Sequence, residues 1–273
     1  MNDLLKNKLQ KLHLSGFVKN TDMRIEQAIK EKFSYVEFLE VLVNDEYLNR
    51  ANNSNIRRFS KAKFPQSKTI EEFNFSAQPS INRQDIYNLA TCEFIRKKEN
   101  VAFIGTTGTG KTHLSIALGT KAILQGYTVL FTTMNNMLEE LYISRADNSF
   151  NQKLRKYSSV DLLIIDELGL KRLNQNSVDD FYEIISRRYE RSSTIITSNK
   201  KFDDWGKILF DPILASAILD RFVHHCNFVS IDGDSYRTRE RIGVIRTGKR
   251  GRPRKATDDE ENTIDEQEGD TVI

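Results

Sequence analysis

The sequence predicts an α/β protein: a parallel five-stranded sheet between helices, preceded by a small all-helical N-terminal domain. Three observations carry this expectation. Short apolar runs at 101–104, 127–132, 161–166, 193–198 and 227–231 alternate with stretches of helical period at about 111–125, 134–144, 176–191 and 213–225. Such alternation builds a parallel sheet covered on both faces. The stretch Gly105-Thr106-Thr107-Gly108-Thr109-Gly110-Lys111-Thr112 fits G-x-x-x-x-G-K-[ST], the phosphate-binding loop, and joins an apolar strand to a helix as that motif requires. Asp161-Leu162-Leu163-Ile164-Ile165-Asp166-Glu167 is an apolar strand ending in two carboxylates, a Walker B pattern.

Taken in order, residues 1–65 read as the helical domain. Leu4, Leu5, Leu9 and Leu12 recur at helical spacing, and Phe33, Val36, Phe38, Leu39 and Leu42 form a second apolar face after Ser34, an expected N-cap. Asn52-Asn53-Ser54-Asn55 is expected to interrupt the pattern. So small a domain buries little core alone, and it should pack on the next domain or on a partner. Around 60–80 a connector carries Pro65 and Pro79. Residues 66–245 form the alternating domain, and 246–273, without apolar periodicity, read as a disordered basic-then-acidic tail.

Ligands of such sheets bind beyond the carboxyl ends of the strands, where the loop 105–112 falls. Its glycines let successive N–H groups face phosphate oxygens, and the following helix adds the positive end of its dipole. Lys111 can reach the β- and γ-phosphates of ATP, and the Thr112 hydroxyl can ligate Mg²⁺ together with Asp166. Glu167 is placed to deprotonate an attacking water. Asn199 ends the strand 194–198 and suits either a hydrogen bond to that water or an ordinary turn. Arg221 could pair with a carboxylate or reach a neighbouring subunit's γ-phosphate. His113 follows the loop and is expected to pack beside the nucleotide. His13, His113, His224 and His225 show no metal-ligand grouping, and Trp205 reads as a packing anchor.

Composition narrows the class. Hydrophobic residues at 38% and charged residues at 29% fit a chain with a real core, and no apolar run approaches the ~20 residues of a membrane helix. Cys92 and Cys226 are too few for a disulfide framework, and the N-terminus lacks a signal-peptide core, so a cytoplasmic setting is expected. The net charge of +3 averages a basic protein with an acidic run from Asp258 to Asp270.

The chain resembles the IstB-type AAA+ ATPases, helpers of insertion-sequence transposition, which are related to helicase loaders of the DnaC type. Phe73-Asn74-Phe75, Gln78-Pro79-Ser80, Glu99-Asn100-Val101, Gly105 to Leu114 and Leu162 to Gly169 carry the resemblance. So do Ser186 to Arg191, Thr194 to Asn199, Asp203 to Gly206, Asp211-Pro212, Leu219 to His225 and Ser235-Tyr236-Arg237. It implies an AAA+ P-loop NTPase fold, Asn199 as sensor 1, Arg221 as an arginine finger and Arg237 as a sensor-2-like nucleotide contact. It also implies a separate transposase as partner, and an ATP-bound oligomer, ring or helical, that assembles on and bends double-stranded DNA.

Clustered cations bind duplex DNA by counterion release. Arg50, Arg57, Arg58, Lys61 and Lys63 suit a backbone clamp, and Arg187, Arg188 and Arg191 fall near the strand ends. Lys249-Arg250-Gly251-Arg252-Pro253-Arg254-Lys255 resembles an AT-hook, with Arg250 and Arg252 entering a narrow minor groove. Two rivals remain open on sequence: a helicase loader preferring single strands, and a nucleotide-switched adaptor.

Overall fold

A computed structural model of the chain describes residues 1–170, 173–209 and 211–236. Arg237, Arg250, Arg252 and the tail 246–273 lie outside the described residues.

Three helices open the chain: α1 (Asp3–Lys11), α2 (Ser15–Glu31) and α3 (Tyr35–Ala62). The Asn2 side chain caps α1 by accepting from Leu5 N at 2.9 Å. Ser34 and Glu37 form a reciprocal capping box at the start of α3, satisfying two donors that a helix start leaves orphaned. The expected break at Asn52–Asn55 is absent, because α3 runs through it. Asn costs a helix less than about 0.7 kcal/mol per residue. Moreover the Asn55 side chain accepts from Arg58 at 3.3 Å rather than competing for the backbone. The apolar face expected around Val36 and Leu39 is also corrected: both are exposed, while Leu42 is buried. α2 and α3 meet instead through polar pairs, with Arg24 forked onto Asp45 (2.8 Å to each oxygen) and Glu46 accepting from Gly16 N at 2.6 Å.

The last turn of α3 already belongs to the main core, where Ala62 is buried beside Phe59 and Phe64. The connector then buries Ile70, Phe73 and Ile81 and leads to α4 (Arg83–Ala90) and α5 (Glu93–Arg96). From β1 (Asn100–Gly105) the chain alternates: α6 (Lys111–Leu124), β2 (Val129–Thr133), α7 (Met134–Ile143), α8 (Phe150–Ser158), β3 (Leu162–Leu168) and α9 (Gln175–Arg188). It continues through β4 (Ser193–Ser198), α10 (Trp205–Ile208), α11 (Pro212–Val223) and β5 (Cys226–Ile231). All five strands are parallel, in the order β2-β3-β4-β1-β5. The expected sheet is therefore present, and α8 is an addition to the elements expected.

Alternate residues of each strand face opposite ways and feed two cores. Val101, Phe103, Leu162, Ile164 and Ile195 pack with α4, α5 and α6 on one face. Ala102, Leu163, Ile165 and Ile196 pack with α7, α8, α9 and α11 on the other. Trp205 anchors the second face as expected, with its ring against Phe202 and Phe222 and its N–H on the Lys200 carbonyl at 3.3 Å. No described helix is long and apolar enough to cross a membrane.

Candidate nucleotide site

The strand order sets β4 between β1 and β3, so the loop after β1 and the carboxylates ending β3 converge at the sheet's carboxyl edge. Gly110 starts α6 at φ 99°, a conformation that favours glycine, and a Cβ there would come within 2.5 Å of the Phe73 ring. The loop is bracketed from outside. Thr106 Oγ1 donates to Gly233 O at 2.9 Å, and Tyr236 N donates to Gly108 O at 3.0 Å. Gln78 Nε2 holds Asp234 O at 3.0 Å. A cleft of about 510 Å³ opens here, lined by Gly108–His113, Phe73, Gln78 and Tyr236 among others.

Lys111 is buried, and its ammonium donates to the carbonyls of Gly105 (2.8 Å) and Thr106 (2.6 Å) at the mouth of the loop. Thr109 Oγ1 also donates to Thr106 O, at 2.8 Å. His113, on the wall of the same cleft, also reaches the connector: its Nε2 donates to Thr69 O at 2.8 Å while its ring meets Phe73 edge-on. It therefore ties the connector to α6.

Thr112 Oγ1 donates to Asp166 at 2.9 and 3.1 Å, so one hydroxyl and one buried carboxylate stand side by side. This is a hard-oxygen donor set of the kind Mg²⁺ takes. Next along β3, Glu167 is exposed and adopts φ 66°, in the left-handed region. Such a backbone costs roughly 1–3 kcal/mol unless its surroundings hold it. Thr197 on β4 holds it. Its hydroxyl accepts from Glu167 N at 3.0 Å and donates to Asp166 Oδ1. The β3–β4 ladder shifts register between Ile165 and Leu168, an irregularity that takes in Asp166 and Glu167. Two residues after Thr197, Asn199 presents a buried Oδ1 with no hydrogen-bond partner. Sequence reading missed Thr197. Its only signal is that it lies in the strand next to the Asp-Glu pair, which needs the strand order to be known.

Thus the fold brings together Gly105, Thr106, Thr107, Gly108, Thr109, Gly110, Lys111, Thr112, Asp166, Glu167 and Asn199. Arg221 stands apart from them on α11, where it donates to Ala217 O at 3.0 Å and lies 5.1 Å from the Tyr182 ring centroid.

The expected DNA contacts divide. Arg58, Lys61 and Lys63 share a cleft of about 330 Å³ with Lys156, beside Thr128–Leu130. Burial pulls the Lys156 pKa down, with Lys63 adding to the effect and Glu140 opposing it. Arg50 and Arg57 line an open groove of about 690 Å³ past His13 and Glu46, with Arg50 paired to Glu46 at 2.7 Å. Arg187 pairs with Glu183, and Arg191 is exposed. Arg188 is a correction. It is 2% exposed and donates to Tyr157 O, Val160 O, Ser193 O and Thr194 Oγ1 at 2.5–3.0 Å. Its guanidinium ties the α8–β3 turn to β4 and is not available to DNA.

Comparison with known proteins agrees with this geometry. The model of the family described as "IstB-like ATP binding protein" matches residues 7–243. The insertion sequence IS21 putative ATP-binding protein of Pseudomonas aeruginosa is 38% identical, over 89% of this chain and 91% of its own length. That of insertion sequence IS5376 of Geobacillus stearothermophilus is 39% identical, over 85% of this chain and 92% of its own. Among solved structures, DnaI superposes with a TM-score of 0.53 at 22% identity, covering 60% of this chain and 90% of that one. The replication initiator DnaA bound to AMPPCP and single-stranded DNA gives 0.52 at 22%, covering 67% and 57%. These two likenesses bear on the fold alone. With a family match across most of its length and relatives of nearly equal extent, the chain belongs to the IstB-like ATP-binding proteins of insertion sequences.

Proposed function

We propose that the chain hydrolyses ATP and, in its ATP-bound state, assembles on double-stranded DNA to serve a transposase. The observation that carries the hydrolytic reading is the constellation at the ends of β3 and β4: Asp166 against Thr112, Glu167 with its backbone N–H on Thr197, and the unpartnered Oδ1 of Asn199. Lys111 would exchange its loop carbonyls for the β- and γ-phosphate oxygens. Thr112 and Asp166 would hold Mg²⁺, which neutralises charge developing on the phosphates. Asn199 Oδ1 accepts a hydrogen bond from the attacking water, and Glu167 takes its proton. The water oxygen then bonds to the γ-phosphorus as the bond to the β–γ bridging oxygen breaks, releasing ADP and phosphate.

The DNA reading rests on Arg58, Lys61, Lys63 and Lys156 converging in one cleft, and on relatives whose names place them in insertion sequences. Arg221 on α11 is our arginine finger, reaching the γ-phosphate of a neighbouring copy, and Arg237 our second nucleotide contact. The setting is the bacterial cytoplasm, at the nucleoid when bound to DNA. Gel shift and negative-stain microscopy with ATP, ADP and no nucleotide test this. Ordered ATP-dependent assemblies on duplex DNA, trapped by Glu167→Gln and absent in Lys111→Ala, are expected. Binding confined to single strands would replace the transposition reading with a helicase-loader one.

A further inference from the structure

Two turns at the amino-terminal edge of the sheet, opposite the nucleotide loop, bring three metal-ligating side chains together. Glu190 lies in the turn from α9 into β4, and His224 and His225 lie in the turn from α11 into β5. One ligand atom of each lies within 4.8 Å of the other two, the one such trio of His, Cys, Asp or Glu among the described residues. His225 Nε2 is 3.9 Å from Glu190 Oε1, and the imidazole rings stand 4.0 Å apart between centroids. The sequence does not announce this grouping, since Glu190 arrives from a different strand connection.

The surroundings suit a cation. α9 and α11 both end here, and helix carboxyl termini carry partial negative charge. Tyr189 Oη lies 3.0 Å from His224 Nδ1. A proton on Nδ1 shared with that oxygen leaves the Nε2 lone pair for a metal, the outer contact that metal-bound histidines use. The backbone under the trio is fixed: Asn100 N donates to His225 O at 2.7 Å, and His224 N to Asp220 O at 3.1 Å. All three side chains are exposed, so rotation can close them to the ~3.3 Å ligand spacing of a tetrahedral site with bonds near 2.0 Å. Two imidazoles and a carboxylate favour Zn²⁺ and its neighbours over Mg²⁺, with water as fourth ligand. The adjacent Cys226 is no ligand. It packs against the second core, and burial pushes its thiol up to about 12.

We propose that Glu190, His224 and His225 bind a single zinc-class transition-metal ion, which pins the turn after α9 to the end of α11, the helix that carries Arg221. The full chain, without a histidine tag, nucleotide or magnesium, is titrated with Zn²⁺ alone and with Co²⁺ alone. One equivalent is expected to bind, and Co²⁺ should develop the visible absorption of a four-coordinate site. Glu190→Gln and His224→Ala should abolish this, Tyr189→Phe should weaken it between about 10- and 100-fold, and Asp166→Asn should leave it unchanged. X-ray absorption of the zinc-loaded wild type counts imidazole neighbours directly, so the test survives a variant that fails to fold. Two imidazoles support the site. No saturable Zn²⁺ binding, fewer than two imidazoles, or binding that persists in folded Glu190→Gln and His224→Ala overturns it.

Discussion

Thr197 is the residue on which the geometry of the proposed hydrolytic site turns. It joins Asp166 to the backbone of Glu167, and that backbone sits in a conformation that does not persist unaided. Thr197→Val keeps the shape and removes both hydrogen bonds. We expect ATP turnover to fall with little change in ATP affinity, and Thr197→Ser to restore it. Turnover kept in Thr197→Val but lost in Thr197→Ser would mean that the methyl group's packing, not the hydroxyl, is what matters. Arg188 makes the opposite point. At the last turn of a helix with a polar face it reads as a surface cation, yet burial pulls its pKa down to about 9 against the attraction of Asp161. Arg188→Leu strips donors from several acceptors at about 1–3 kcal/mol each. With four acceptors left unpaired, a stability loss of at least about 4 kcal/mol in urea denaturation is expected, with duplex affinity of the folded variant unchanged. Normal stability with lost DNA binding would return Arg188 to the DNA surface. The glycines, Lys111 and Thr112 were legible because the motif is contiguous. The role of Thr197 and the burial of Arg188 were not, because both depend on which strand lies beside which.

At the level of elements, the five strands were legible because each is an apolar run between helix signals, and their bounds move by no more than two residues. α8 was not. Phe150-Asn151-Gln152-Lys153-Leu154-Arg155-Lys156-Tyr157-Ser158 buries only Leu154 and Tyr157, so it looks like a polar loop until its neighbours are known. What secures it is Glu140 on α7, which accepts from Lys153 at 2.7 Å, from Lys156 at 2.5 Å and from Tyr157. Burial opposes charge on Glu140, yet these hydrogen bonds outweigh it and hold its pKa at about 2. Because the folded value lies below the ordinary 4.5, the stabilisation is complete above that value and is lost as pH falls through about 2. Urea midpoints of wild type and Glu140→Gln should therefore differ most above pH 4.5 and converge towards pH 2. A difference independent of pH would mean that the carboxylate's charge does not hold α8. The same clamp positions Lys156 beside Lys63, so it also shapes the basic cleft.

Across the whole molecule, one chain supplies every part of the proposed hydrolytic site except the arginine. Arg221 is spent on Ala217 and Tyr182 of its own chain, on a helix whose outer side carries the exposed Ile213. If it acts, it acts on a second copy, and ATP then stabilises assembly because only the triphosphate offers the γ-phosphate contact. This separates site from finger in a way that mixing can read. Lys111→Ala lacks a working site but keeps its arginine, whereas Arg221→Ala keeps its site but lacks the arginine. Each alone should turn over ATP poorly. In an equimolar mixture, sites on Arg221→Ala subunits next to Lys111→Ala neighbours receive an arginine in trans, so turnover should rise above the sum of the two variants alone. That recovery should vanish on dilution and return when duplex DNA gathers the subunits. A mixture no more active than the sum of its parts, under conditions where microscopy shows mixed assemblies, would remove Arg221 from the reaction and leave it as a packing partner of Tyr182.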